Sequence, residues 1–361
     1  MRVIISAGGT GGHIYPALAI MNKIKEAEPN SEFLYIGTHN RMEKDIIPAM
    51  GINYKALEVY GFNRHNFWSN FKTLKCFNRA TKECKKIYTE FKPDVVIGVG
   101  GYVTGPVIYE AHKMGIKTFI HEQNSVPGMS NKFLSRYADM IFVSFTSSLQ
   151  SFPKGKTVYT GNPCSEEAIK MEPCDKKEFG LDDHKKLVLV VMGSLGAAKV
   201  NDYLVEHLKD FSDKKYELLV VTGEQDFNKF KDVKYPNIKI VPYIDKLPRV
   251  MKKTDLFVSR AGASTLSEIE VLGIPSILIP SPYVPNNHQY KNAIDLVKDD
   301  EAVLLEEKNL NGDALVKAVD SLINDNDRLK EISNNLMKTS VHNSSDIIYD
   351  LIKKVQNGTK R

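Results

Sequence analysis

Short apolar runs alternate along this chain with longer mixed segments, and most of the runs end in glycine or in a polar cluster. RVIISA, FLYIG, DVVIGVGG (from Asp94), IKTFI (from Ile116) and TVYT make one series; LVLVV, ELLVV, IKIVPYI, DLFVS and PSILIPSP make a second. Each run is rich in β-branched residues and too short for a helix, so each reads as a buried strand. Helical stretches separate them, and strands alternating with helices predict parallel, doubly wound sheets. The two series open alike: VIISAGGTGGHIYPALAI and LVLVVMGSLGAAKVNDYL are both strand, glycine turn and helix, with Gly8 and Gly193 as counterparts. Two similar α/β halves follow from this. A short strand ends at Thr160-Gly-Asn-Pro163 and a charged stretch comes next, which places the linker there. The expected domains are residues 1–162 and 163–340, with the helical, amphipathic residues 341–361 packing back on the first.

Length agrees, since 361 residues exceed one ordinary core and suit two. With 42% apolar and 26% charged residues the chain is globular. No apolar run nears the roughly 20 residues of a spanning helix, and RVIISA meets a glycine loop too soon for a signal-peptide core, so a cytosolic chain is expected. A net charge of +5 is too modest to argue for nucleic acid. Cys76, Cys84, Cys164 and Cys174 form no CxxC pair and no zinc spacing, which suits reduced structural thiols. The nucleoside-triphosphatase loop, Gly-x4-Gly-Lys-Ser/Thr, is missing. Asp325-Asn-Asp327 joins two amphipathic helices and reads as a helix cap, so no catalytic metal is expected.

In an open parallel sheet ligands bind outside the carboxyl ends of the strands. GGTGGH, GGYVTGP, HEQN, GSLGAA, RAGAST and NNHQ each follow a strand and would project toward one cleft between two domains. The Gly8-to-His13 run is not GxGxxG, and FLYIG ends in Thr38-His39 rather than an acid, which disfavours a nicotinamide dinucleotide. Its successive glycine N–H groups still make an anion site, or the run is simply a tight turn. His13, at the head of the following helix, is either a general base or a capping residue. His121-Glu-Gln-Asn124 can grip sugar or phosphate oxygens, and Gly100-Gly101-Tyr102 allows close backbone approach to a ligand or makes a tight turn. Arg260-Ala-Gly-Ala-Ser-Thr-Leu-Ser-Glu268 fits a nucleoside diphosphate, with phosphate at the helix N-terminus and ribose hydroxyls on Glu268.

Gly61 to Arg79 differs from the rest. Phe67, Trp68, Phe71, Leu74 and Cys76 or Phe77 recur at helical spacing, with Arg64, Lys72, Lys75 and Arg79 among them and no acid. Such a stripe is ordinarily a core face. The basic flanks and the single Trp point instead to anionic lipid headgroups.

GGTGGHIYPALA, GVGGYVTGP, HEQNSVPGMSNK, GNP, MGSLGA, RAGASTLSEI and IPSPYVPNNHQYKNA, in this order, resemble the MurG family of bacterial peptidoglycan transferases over nearly the whole chain. The resemblance implies the GT-B fold, two Rossmann-like doubly wound domains facing across a cleft. It implies an inverting, metal-independent hexosyltransferase without a cofactor, moving GlcNAc from UDP-GlcNAc to the muramyl 4-hydroxyl of lipid I to give lipid II for cell wall biogenesis. A UDP-GlcNAc 2-epimerase of the same fold, or another UDP-sugar:lipid glycosyltransferase, is the alternative. The family's pattern places UDP-GlcNAc in the C-terminal half, on Ser165, Ser194, Gly196, Asn201, Ile244, Arg260, Ser264, Thr265, Glu268, His288 and Gln289. It places lipid I in the N-terminal half, on Gly9, Thr10, Gly11, Gly12, Gly101, Tyr102, His121 and Asn124, with His13 and Glu122 as catalytic candidates. Ser165, Leu195 and His288 stand where the family often has Arg, Gln and Gln. Phe67, Trp68, Phe71, Lys72 and Lys75 would meet anionic lipids, making a peripheral protein of the cytoplasmic face of the plasma membrane with other cell-wall synthesis proteins as partners.

Overall fold

A computed structural model describes residues 1–61, 69–193 and 197–358. The chain forms two units, Met1–Cys164 together with the stretch from Asn343, and Ser165–His342. Each is built on one parallel sheet.

The first unit runs β1 (Arg2–Ala7), α1 (Gly11–Ala27), β2 (Glu32–Thr38), α2 (Glu43–Ala49), β3 (Tyr54–Leu57), α3 (Ser69–Phe91), β4 (Val95–Gly100), α4 (Thr104–Lys113), β5 (Lys117–Glu122), α5 (Met129–Leu134), β6 (Met140–Val143) and β7 (Thr157–Tyr159). Its sheet order is β3-β2-β1-β4-β5-β6-β7. The chain begins mid-sheet, builds outward to β3 and then crosses over to β4, so the switch point lies between β1 and β4. All six residues of β4 are buried, because helices cover both faces of the sheet and leave no solvent side to demand alternation.

The second unit runs α6 (Ser165–Lys170), β8 (Leu187–Val191), α7 (Ala198–His207), β9 (Glu217–Val221), β10 (Ile238–Val241), α8 (Pro248–Met251), β11 (Leu256–Ser259), α9 (Ala263–Leu272), β12 (Ser276–Leu278), α10 (His288–Lys298), β13 (Val303–Leu304), α11 (Ala314–Ile323) and α12 (Asn326–Thr339). The order β10-β9-β8-β11-β12-β13 repeats the plan, with the switch between β8 and β11. Asp325 caps α12, its carboxylate accepting from the Arg328 backbone N–H at 2.9 Å, which gives the Asp-Asn-Asp run its structural role. The four cysteines are buried free thiols.

The last helix, α13 (Ser344–Gln356), belongs to the first unit and packs on α1. Ile348 and Ile352 are fully buried in the same cluster as Ile14, Ile20 and Ile24, contributing on the order of 1.5–3 kcal/mol each. Glu28 ties the two helices, bonding Lys353 Nζ at 2.8 Å and Tyr349 OH at 3.1 Å. The Lys353 hydrogen bond is the main reason the Glu28 carboxyl sits below its usual range.

Helix α3 turns Thr73, Cys76, Ala80 and Cys84 into the core, a spacing of three and four residues. Cys76 is therefore a core residue and not part of a surface stripe. Phe71 and Leu74 remain exposed at 61% and 48%, beside exposed Lys72 and Lys75. Arg64, Phe67 and Trp68 lie outside the described residues.

Candidate active site

In the first unit the loops after β1 and β4 meet at the switch point. Gly8 N–H donates to Gly100 O at 3.1 Å. Gly101 has φ +89°, and a Cβ there would lie 2.4 Å from Gly8 O, so only glycine lets the loops touch. A Cβ on Gly100 would lie 2.4 Å from the His13 ring, so the second loop also clears space for the imidazole. His13, half-buried in the first turn of α1, places Nδ1 3.0 Å from Gly8 O. A carbonyl can only accept, so Nδ1 carries the proton and Nε2 is the basic nitrogen.

Thr10 precedes α1 without a side-chain cap bond, and no acid occupies the first turn with Gly11 and Gly12. The positive end of the helix dipole is thus uncompensated by an acid of its own turn. Gly9 differs from its neighbours: its N–H donates to Glu43 Oε2 at 3.1 Å. Sequence reading missed Glu43. Its other oxygen accepts from Thr38 N–H at 3.0 Å and Thr38 Oγ1 at 2.6 Å, in a fully buried position at the start of α2. The carboxylate thus ties the glycine loop to the end of β2. The signal was an acid at a helix start soon after a strand; what it would bond was not written there.

His121 is buried, with Nε2 3.3 Å from Ser144 Oγ and 3.5 Å from Gly161 O. Burial is the main cause that pushes it down to about 4, with the Gly161 carbonyl opposing the fall and His13 adding to it, so it stays neutral at neutral pH. Glu122, the other catalytic candidate, is held by its neighbours. One oxygen accepts from Asn124 N–H at 3.0 Å and Asn124 Nδ2 at 3.3 Å, the other from Gly128 N–H at 2.9 Å and Asn131 Nδ2 at 3.0 Å. A buried carboxylate with four donors is a hub that fixes the 122–131 turn, not a base poised for a substrate proton. Burial raises it, and the donors offset part of the rise. Tyr102 is exposed, while Thr104 Oγ1 bonds Gly101 O at 2.7 Å and braces the loop.

In the second unit the β8 and β11 loops are again neighbours, through the register Ser259↔Val191. Gly193 has φ +89°, and α7 and α9 both begin without an acid in the first turn. Ser194 and Gly196 lie outside the described residues. Ser264 Oγ is buried without a hydrogen-bond partner, and Thr265 is half-buried beside it. One turn on, Glu268 is pushed up to about 7 by burial alone. Gln289 Oε1 accepts from Ser281 N–H at 2.8 Å, which leaves the amide NH2 as its donor. Asn286 and Asn287 carry positive φ, 55° and 51°, before α10, and His288 Nδ1 bonds Pro285 O at 2.9 Å. Ile244 is buried after β10, so only its backbone could meet a ligand.

Three residues assigned to the donor are engaged or buried within the protein. Arg260 is buried and occupied: Nη1 donates to Ile279 O at 3.0 Å and Nη2 pairs with Glu307 at 2.6 Å, so its charge is already neutralised. Asn201 is fully buried, its Nδ2 on Thr222 O at 2.9 Å and Asp226 at 2.8 Å, a brace behind α7. Ser165 is buried at the head of α6, which packs on α9.

The glycosyltransferase family 28 N-terminal domain matches residues 3–143 and the family 28 C-terminal domain residues 187–349. The UDP-N-acetylglucosamine--N-acetylmuramyl-(pentapeptide) pyrophosphoryl-undecaprenol N-acetylglucosamine transferase of Bacillus licheniformis is 43% identical over 366 residues, covering 100% of both chains. That of Pediococcus pentosaceus is 43% identical over 98% of this chain and 99% of its own. The crystal structure of Acinetobacter baumannii MurG matches with TM-score 0.77 at 27% identity, over 98% of this chain and 99% of that one. The chain belongs to glycosyltransferase family 28, among the MurG transferases. Its fold is GT-B. A putative UDP-N-acetylglucosamine 2-epimerase from Listeria monocytogenes also matches, with TM-score 0.72 over 100% of this chain and 97% of that one, but at 13% identity. That likeness shows the shared fold and carries no activity with it. Within a family 28 chain the paired switch points separate the two glycine-loop sites onto the two matched domains.

Proposed function

We propose that this chain transfers GlcNAc from UDP-GlcNAc to the 4-hydroxyl of the MurNAc of undecaprenyl-diphosphate-MurNAc-pentapeptide. The observation that carries the catalytic reading is the His13 ring, held by Gly8 O through Nδ1 and given room by Gly100. Nε2 takes the proton of the acceptor hydroxyl as its oxygen attacks the anomeric carbon of the α-linked GlcNAc. The bond from that carbon to the diphosphate breaks, UDP leaves, and the linkage inverts to β. The departing charge is met by the N-termini of α7 and α9, where oriented N–H groups face a developing anion. We assign no metal and no cofactor to this step.

The acceptor diphosphate is assigned to the loops around Gly11, Gly12 and Gly101, and the ribose to Glu268. The relatives' names carry the donor and the acceptor, and the acid-free helix starts of both units support this placing. No helix among the described residues is long and apolar enough to cross a membrane. The acceptor is lipid-linked, and exposed Phe71 and Leu74 beside Lys72 and Lys75 suit a face that rests on anionic lipid, so we place the chain at the cytoplasmic face of the plasma membrane. The test is incubation with UDP-GlcNAc and a short-chain acceptor analogue, with and without a chelator. A β-linked disaccharide and UDP in equal amounts are expected in both. Turnover that stops with chelator and returns with a divalent ion would overturn the metal-free step, and a missing disaccharide the whole reading.

A further inference from the structure

Beside the Gly100–Tyr102 loop lies a groove of about 460 Å³. Its walls are Leu74 and Phe77 from α3, Met129 and Phe133 from α5, and the rings of Tyr60 and Tyr102. Phe77, Tyr109, Tyr137 and Phe133 form a continuous chain of rings, with successive centroids 5.9, 5.2 and 5.5 Å apart. This chain of edge and tilted contacts makes the wall stiff. Tyr102, Met129 and Phe133 stand 53%, 42% and 43% exposed, with Leu74 next to them. Apolar side chains gathered around one groove mark an interaction site. Cations sit at its margin: Lys72 Nζ lies 4.6 Å from the Tyr60 ring centre, and the Arg136 guanidinium 5.3 Å from that of Phe133.

We propose that this groove holds the first isoprene units of the acceptor's polyprenyl chain, as a subsite of the acceptor site and not merely as part of a surface that meets the bilayer. The inference rests on the acceptor reading above. Tyr102 belongs both to the groove wall and to the loop assigned to the diphosphate, so a chain esterified to that diphosphate leaves it at the groove's edge. The lining offers aromatic rings and a methionine and little that hydrogen-bonds, which suits a flexible, methyl-branched, unsaturated chain. The volume is that of a small-molecule site, roughly 300–1,000 Å³. The marginal cations complement the negative head to which the chain is joined.

The test uses two water-soluble acceptors with the same sugar, peptide and diphosphate, one ending in a two-isoprene chain and one in a methyl group, without vesicles or detergent. Wild type should show a KM at least tenfold lower for the prenyl acceptor. Phe133→Ser and Leu74→Ser should remove that preference, with the KM for UDP-GlcNAc unchanged, and Phe133→Leu should restore most of it. Phe71→Ser, outside the groove, should keep the preference while sedimenting less with anionic phosphatidylglycerol vesicles. Equal KM values for the two acceptors in wild type, or a preference that survives Phe133→Ser, would overturn the groove assignment and leave the residues as bilayer contacts. Turnover of neither acceptor would overturn the acceptor reading itself, a different outcome from equal turnover of both.

Discussion

The two units share a sheet plan and a glycine loop at the switch point, yet the carboxylates at their sites stand in opposite conditions. In the first unit they are already engaged. Glu43 holds Gly9 and Thr38, Glu122 holds Asn124, Gly128 and Asn131, and His13 holds Gly8 O. In the second, Glu268 is raised by burial with no offsetting partner among the described residues, and Ser264 Oγ is buried without one. A buried polar group lacking a partner is costly, and a ligand that supplies the partner recovers that cost on binding. On the proposed reading, the first unit holds a base and a backbone loop in place before substrate arrives, and the second is completed by the nucleotide.

The sharpest way to break this comparison is at His13. His13→Ala should lower kcat by roughly 10²–10⁴, as expected for loss of a general base, with UDP binding by calorimetry unchanged. Near-normal turnover at neutral pH would mean that the preorganised first unit holds something other than the base.

Glu43→Gln tests whether the engaged carboxylates position the loop. The amide keeps one acceptor oxygen and adds a donor opposite Gly9 N–H or Thr38 N–H. A shift of the loop by a fraction of an ångström should cost about 10- to 100-fold in kcat/KM for the acceptor. The KM for UDP-GlcNAc should not move, and Glu43→Asp should recover part of the loss. An equal loss for both substrates, with a lowered melting temperature, would reduce Glu43 to a fold residue.

An effect of similar size is expected on the incomplete side. Removing charged hydrogen bonds to ribose costs on the order of 1.5–3 kcal/mol, so Glu268→Ala should weaken UDP binding at least tenfold. Its pH dependence follows from the raised carboxyl. Below about 7 the free protein holds a proton on Glu268. Hydroxyl donors favour the ionised form, so binding must expel that proton, and affinity should rise with pH up to about 7 and level off above it. Glu268→Gln should flatten this rise; a wild-type affinity that falls over the same range would show that Glu268 binds as the neutral acid.

Much of the architecture was legible because it is periodic. Runs such as VVIGVG and LVLVV are buried on both faces and could be little else. The strands that no run marked are β3, β6 and β13. The first and last are short edge strands, and four apolar residues such as MIFV or AVLL do not separate strand from helix. At the sites, His13 and the glycine loops were legible, since glycine at these positions is a backbone requirement of the loops themselves. Arg260 and Asn201 were both placed with the donor by the family's pattern. The fold instead gives Arg260 to Glu307, 47 residues on, and Asn201 to Thr222 and Asp226.

What the chain determined unaided were the two halves, their strand-turn-helix openings, the glycine loops and the family, all of which depend on residues near one another in sequence. Which carboxylates are hubs and which await a ligand, and which face of α3 is core, was decided only by tertiary structure. A hydrogen-bond partner or a buried face is a relation between segments far apart in sequence, and strand order and helix packing alone bring those segments within reach.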